Sequence, residues 1–316
     1  LLANAGNKVS RISTKLSNTG TFSKTINTNC YFCFSKELII SNQTDNLNQF
    51  SNIIDHTVSY LSNNHNNDDD HNAALYISSN APVDLDMDNV IINGNVGSGI
   101  SARDIKKVDL NIVTITNNSQ YGITYSSSAA QGSKRSYIDS STISYNDKAG
   151  IYSVYNSSIT NTSITYNGKS INAGTYHKYA AGGIDNMNGE NILKNVKILN
   201  NRASAFNGYG GGLSVSGYGR SDTLINVTIK NNFSRYGGGI YIHDPSPSRL
   251  VMSGTNIYEN YGYFGTDIAV DATKDEKINI VVDTFTVNYL NNYHIYPVSK
   301  VNLTKSFHTV EIRTGD

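Results

Sequence analysis

The chain has 316 residues, with 25 Lys and Arg balanced by 25 Asp and Glu, and only 16% of its residues are charged. A net charge of zero excludes the Lys/Arg surplus that neutralises nucleic-acid phosphates, and no stretch approaches the roughly 20 apolar residues of a membrane-spanning helix. With 43 Asn, 37 Ser and 26 Gly the chain is polar, yet 38% hydrophobic and 10% aromatic residues exclude the composition of a disordered polymer.

Residues 1–50 open on Leu1-Leu2-Ala3-Asn4, without Met or a basic-then-apolar leader, which predicts a mature or excised portion of a longer chain. Ile26-Asn27-Thr28-Asn29 and Leu38-Ile39-Ile40 fit a degenerate copy of the repeat described below, so this segment is read as an N-terminal cap or degenerate coils. It holds both cysteines, Cys30 and Cys33. One C-x-x-C supplies half the ligands of a structural zinc site. Its Asn- and Ser-rich surroundings also lack the strand-to-helix context of a redox motif. A local disulfide or two free thiols is expected. Further on, the polar insert Asn63 to Asn72 carries two His and three Asp without fixed ligand spacing, and is read as a solvated loop. Neither metal nor cofactor is expected.

From residue 51 to 296 one pattern recurs: a large aliphatic residue, an aliphatic or Phe five positions on, then Asn three beyond. A weak copy, Ile53–Val58–Leu61, comes first. It is followed by Met87–Ile92–Asn95, Leu110–Ile115–Asn118, Ile138–Ile143–Asn146 and Ile159–Ile164–Asn167. Leu193–Ile198–Asn201, Leu224–Ile229–Asn232, Met252–Ile257–Asn260 and Ile280–Phe285–Asn288 complete the series. After each Asn come a Gly-rich or polar turn and an aliphatic anchor: Leu75, Ile100, Ile123, Ile151, Ile184, Leu213, Ile240, Ile268 and Ile295. The mean period is about 28 residues, within the window of solenoid repeats, and the variation falls between the fixed blocks.

Each block is short and rich in β-branched residues, as in Leu224-Ile225-Asn226-Val227-Thr228-Ile229, which predicts strands. Side chains alternate along a strand, so two aliphatics five apart both face inward only if the chain bends between them. The bend is expected two residues after the first aliphatic, at Asn89, Ser140, Asn161, Asn195, Asn226 and Gly254, types that tolerate left-handed backbone. Ile112 and Val282 stand there in the other copies and predict flatter corners. Three such strands per turn make an all-β parallel β-helix of about 9–11 coils, with the eight Asn stacked as a hydrogen-bonded structural ladder. Residues 297–316, with Val301, Leu303, Val310 and Ile312, are read as a C-terminal strand pair or cap.

The string Leu224 to Asn232, followed by Gly237-Gly238-Gly239-Ile240-Tyr241, resembles the right-handed parallel β-helix repeat of polymorphic outer-membrane-protein-like and adhesin-like surface proteins. The resemblance covers about residues 50–296. It implies a right-handed coil and a secreted or cell-surface location, but the architecture also serves pectinolytic enzymes and phage tailspikes.

Three function classes follow. The first is an adhesin stalk or binding module, a stiff rod of roughly 50 Å at the coil spacing. Its partners are glycans or surface proteins, met through Tyr209, Tyr218 and Tyr236, with Tyr121, Tyr261 and Tyr263 also near the turns. The second is a self-assembling fibre subunit, whose partner is a copy of itself. The third is a polysaccharide lyase or glycosidase, which needs acid and base groups at fixed separation. Its candidate set is His243, Asp244 and Asp271, with Asp267 nearby and His243 one coil from Asp271. No Gly-His-Gly signature accompanies them, and the binding reading is preferred.

Overall fold

A computed structural model describes residues 73–282 apart from 80–83, 96, 104–106, 127–134, 170–180, 206, 217–220, 244–248 and 272–277. It also describes the backbone of strands Ser10–Ile12, Lys36–Asn42, Ile53–Ile54, Thr57–Ser59, Tyr293–Tyr296 and Val301–Lys305. Among the described residues every regular element is a strand, and the chain visits three parallel sheets in a fixed order. One coil runs Asp84–Asp88 in the first sheet, Ile91–Asn93 in the second and Ser98–Arg103 in the third. The next runs Lys107–Asn111, Thr114–Thr116 and Ile123–Ser126. The sheets hold 10, 8 and 11 strands respectively. This is a parallel β-helix.

The repeat read from the sequence is the register of these sheets. Met87 pairs with Leu110, Leu110 with Ile138, and Ile138 with Ile159. Ile92, Ile115, Ile143 and Ile164 pair likewise in the second sheet, and Ile100, Ile123, Ile151 and Ile184 in the third. All twelve are buried and pack into one continuous core running the length of the rod. The weak copy is in register too, Ile53 pairing with Met87 and Val58 with Ile92, whereas Leu61 lies outside the described residues. Beyond the repeat, Leu38 pairs with Leu75 and Leu303 with Ile280, so strands from both terminal segments extend the sheets.

Two corners bracket the short second-sheet strand. The first falls where expected, with φ between 49° and 57° at Asn89, Ser140, Asn161, Asn195, Asn226 and Gly254. The flatter corner expected at Ile112 is not there: Ile112 has φ 53°, as sharp as Asn89 and Ser140, because the coils above and below impose the turn on whatever residue occupies it. The second corner is the residue just before each ladder Asn: Gly94, Asn117, Tyr145, Tyr166, Asn200, Asn231 and Glu259 all have positive φ. The last repeat also differs from its reading. Ile280 pairs with Leu250 and Val282 with Met252, so Val282 occupies the first-aliphatic column rather than a corner. Residues two apart face the same side of a strand, and either register therefore satisfies the apolar pattern.

The Gly directly before six of the anchors, Ile100, Ile123, Ile151, Ile184, Leu213 and Ile240, is required by close approach. A Cβ on Gly122 would lie 2.5 Å from the Gly150 carbonyl oxygen and 2.7 Å from the Ile143 side chain, both in the next coil. The coils therefore stack in contact where the chain enters the third sheet.

Candidate functional site

From Asn118 to Asn260 the repeated Asn residues are interior and hydrogen-bonded, whereas Asn95 Oδ1, at the start of the row, has no partner among the described residues. The Asn146 backbone N–H and Nδ2–H both donate to Asn167 Oδ1, at 3.1 and 2.8 Å, and Asn167 donates in the same way to Asn201 at 3.0 Å from each nitrogen. The second amide hydrogen goes back to the preceding coil, as in Asn201 Nδ2 to the Ile164 carbonyl at 2.8 Å. The ladder runs unbroken through Asn95, Asn118, Asn146, Asn167, Asn201, Asn232 and Asn260, all buried. At its far end Asn260 Nδ2 donates to Asp267 Oδ1 at 2.9 Å. Asn288 lies outside the described residues. An outer ladder at the first corner runs the opposite way: Asn226 donates to Asn195 at 2.8 Å, Asn195 to Asn161 at 3.1 Å, and Asn161 to Asp139 at 2.9 Å. The donor end of each ladder thus meets a carboxylate, the favourable charge for a row of aligned amide dipoles. Hydrogen bonds, the Thr160 hydroxyl first, hold the Asp139 carboxyl below its ordinary range.

A second buried polar column lies in the first sheet. Its successive rungs are Leu85, Val108, Ser136, Ser157, Asn191, Asp222, Leu250 and Ile280, apolar at both ends and polar in the middle. Ser157 N–H donates to Asn191 Oδ1 at 2.9 Å, and Asn191 donates to Asp222 Oδ1 from its backbone N–H and its Nδ2–H, at 3.0 and 2.9 Å. Burial pushes the Asp222 carboxyl up to about 6, against those two hydrogen bonds. These groups are enclosed by the coils and reach no ligand from outside.

The outward-facing chemistry gathers where the second sheet hands over to the third. There Phe233–Tyr236 and Tyr261–Phe264 form an additional two-stranded parallel sheet, extended by bridges from Arg202 to Phe233 and from Tyr209 to Tyr236. Ser234 points in and is fully buried, its hydroxyl donating to the Tyr236 carbonyl at 2.6 Å, and the Phe233 N–H donates to the Asn201 carbonyl of the preceding coil at 2.9 Å. Tyr209, Tyr236 and Phe264 stack in a column with 4.9 Å between successive ring centroids and 12° between planes. Tyr209 also meets Tyr241 edge-on at 4.6 Å, which ties the column to the outside of the third sheet. Stacking covers the faces of Tyr209 and Tyr236 with neighbouring rings, so a ligand would meet their edges.

Tyr261 and Tyr263 are different: they lie two apart on one strand, 62% and 71% exposed. Two guanidinium groups flank this face, Arg202 4.7 Å from the Phe233 centroid and Arg235 5.5 Å from that of Tyr236. The structure thus brings two of the three Tyr named from the sequence into one face, and Tyr218 lies outside the described residues. Sequence reasoning missed Phe233, Phe264, Arg202 and Arg235. For Arg202 and Phe233 the signal is positional, each following a ladder Asn directly as Tyr261 does.

The enzyme constellation is only partly placed. The backbone puts His243 opposite Asp271 in adjacent strands, one coil apart as the repeat predicts, while Asp244 lies outside the described residues. Asp267 is buried in the ladder and unsuited to acid–base work at the surface. Among the described residues no group of three or more His, Cys, Asp or Glu could hold a metal ion, and no helix is long and apolar enough to cross a membrane. Cys30, Cys33 and the polar insert from Asn63 lie outside the described residues apart from the strands named above. Comparison with protein-family models, with curated proteins and with solved structures gives no match for this chain.

Proposed function

We propose that the protein is an extracellular or cell-surface β-helix of the adhesin-like kind, a stiff stalk that acts by binding through its aromatic face. The observation that carries this reading is the exposure of Tyr261 and Tyr263, side by side on a strand held to the coil beneath by the Tyr261 N–H, which donates to the Asn232 carbonyl at 2.8 Å. Exposed apolar rings cost free energy in water, and a rigid pair with hydroxyl tips is a low-entropy contact for sugars or partner proteins. The sparse, balanced charge of the chain favours contacts of this kind over electrostatic capture. The test is binding of the purified protein to cell-surface extracts and glycan arrays, with Tyr261→Ala/Tyr263→Ala set against Tyr137→Ala, another exposed Tyr on the first sheet. Loss of binding by about tenfold or more is expected for the double variant alone. Equal binding by all three proteins would sink the proposal.

A further inference from the structure

The third sheet carries a row of residues that the aromatic face does not use. Its register sets Ser216 opposite His243 and His243 opposite Asp271, in three successive coils. We propose that Ser216, His243 and Asp271 serve as nucleophile, base and orienter for hydrolysis of a carboxylic ester. This site needs neither Tyr261 nor Tyr263.

The placement follows from the fold. Val215, Ile242 and Val270 are buried in the core, so alternation along each strand puts the residues that follow them, Ser216, His243 and Asp271, on the outer face. Each is the last residue of its strand. Coils stack about 4.8 Å apart, a separation at which side chains on neighbouring strands pair across a sheet. A Ser hydroxyl is a weak nucleophile until an adjacent base takes its proton, and a His serves as that base best when a third group fixes its tautomer. The base must therefore stand between its two partners, and His243 is the middle rung. Two positions earlier on the same outer face stand Ser214, Tyr241 and Ala269, in register with one another. All three are buried, whereas Tyr137, at an outer position of the first sheet, is 48% exposed. The outer face of the third sheet is thus covered up to the row. Tyr209, from the turn that precedes this sheet, supplies part of the cover by meeting Tyr241 edge-on at 4.6 Å. Cover of this kind beside a nucleophile excludes water on one side and suits an uncharged acyl group.

In the proposed reaction the Ser216 oxygen bonds to the acyl carbon as its proton passes to His243. The bond from that carbon to the alcohol oxygen breaks, and the alcohol leaves with the proton. Water then attacks the acyl-serine, its proton returning through His243 to Ser216 as the acid departs. Asp271 acts through His243 and is a positioning residue.

The test is hydrolysis of p-nitrophenyl acetate by the full chain, together with a fluorophosphonate probe that traps an activated Ser and peptide mapping to locate it. Turnover by the parent protein and covalent labelling at Ser216 are expected. Ser216→Ala and His243→Ala should each lower kcat by at least about a hundredfold, and His243→Ala should abolish the labelling. Asp271→Asn should lower kcat by a similar factor with KM and the melting temperature unchanged, and Asp271→Glu should recover part of the loss. A merely structural Asp271 would instead lower the melting temperature and leave kcat. Labelling of the parent protein is decisive even where a variant does not fold. A parent protein that neither turns over the ester nor takes the label, turnover that survives Ser216→Ala, or labelling at another residue would overturn the proposal.

Discussion

Ile112 is the residue at which the fold overrules local preference. Its φ of 53° is left-handed backbone, costing a β-branched side chain roughly 1–2 kcal/mol, and its side chain is 52% exposed and so recovers little by burial. Asn takes the same corner at Asn89, Asn161, Asn195 and Asn226. Ile112→Asn is therefore expected to stabilise the protein by about 1 kcal/mol, read as a higher denaturant midpoint at unchanged slope; a neutral or lower midpoint would refute the strain. The inner ladder gives the opposite case. Asn167→Ala removes the acceptor of two Asn146 donors and the donor to both Asn201 Oδ1 and the Ile143 carbonyl, all buried. A loss of at least about 3 kcal/mol follows from leaving such groups unpaired. Asn195 makes the contrast: its amide donates to Asn161 Oδ1 in the exposed outer ladder. Asn195→Gly keeps the left-handed corner and is expected to cost under about 1 kcal/mol in the same measurement. Similar losses at Asn167 and Asn195 would mean that burial does not set the value of a ladder rung.

The first-sheet strand Ser221–Ile225 carries a different liability, because it puts Asp222 in an interior column with Asn191 as its partner among the described residues. The folded carboxyl titrates at about 6 against an ordinary 3.8, so between those values the folded state holds a proton that the unfolded chain has lost. Stability therefore falls as pH rises through about 4 to 6, by a contribution on the order of 3 kcal/mol, and none of that contribution remains above the folded value. Asp222→Asn keeps the oxygen that accepts from Asn191 and removes the charge. Difference melting curves against the parent should show the variant more stable at pH 8 and the gap closing towards pH 4; a gap independent of pH would mean that the carboxyl is not desolvated. This column was not legible from the sequence. The five-plus-three spacing exposed the aliphatics at Met87 and Ile92 and their stacked copies, because identical residues recur at a fixed offset and stacking demands it. Ser136, Ser157, Asn191 and Asp222 share a position but no single residue type, as do Tyr145, Tyr166 and Glu259 at the second corner. A column held by shape or backbone geometry accepts many side chains and leaves no repeat to read. The aromatic face was half legible: Tyr209 and Tyr236 are prominent near Gly-rich turns, but their stacking, and the freer Tyr261 and Tyr263 beside them, follow only from the register of the two-stranded sheet.

For the molecule as a whole, the parallel register makes each coil interact mainly with the coil above and the coil below, so coils should be removable as units. Residues 112–139 are one such unit, since Asp139 pairs with Asn111 and Ser140 takes the corner position of Ile112. Joining Asn111 to Ser140 sets Ile92 beside Ile143, Asn95 beside Asn146 and Gly99 beside Gly150, the same residue types that meet at every other rung. The strained Ile112 leaves with the deleted coil. The deletion is expected to fold with an unchanged cross-section in small-angle scattering, an axis shorter by about 4.8 Å, and the aromatic face of residues 202–264 intact. Removing 112–138 instead leaves one extra residue before the corner, and the period of two then turns Val108 and Leu110 outward or forces a bulge. That variant should melt well below the first, although it retains more of the chain. If the two melted alike, stacking in register would not be what holds the rod together, and stability would have to come from within each coil. A rod whose coils are interchangeable along its axis can be lengthened without altering the face it presents, as the proposed stalk would require.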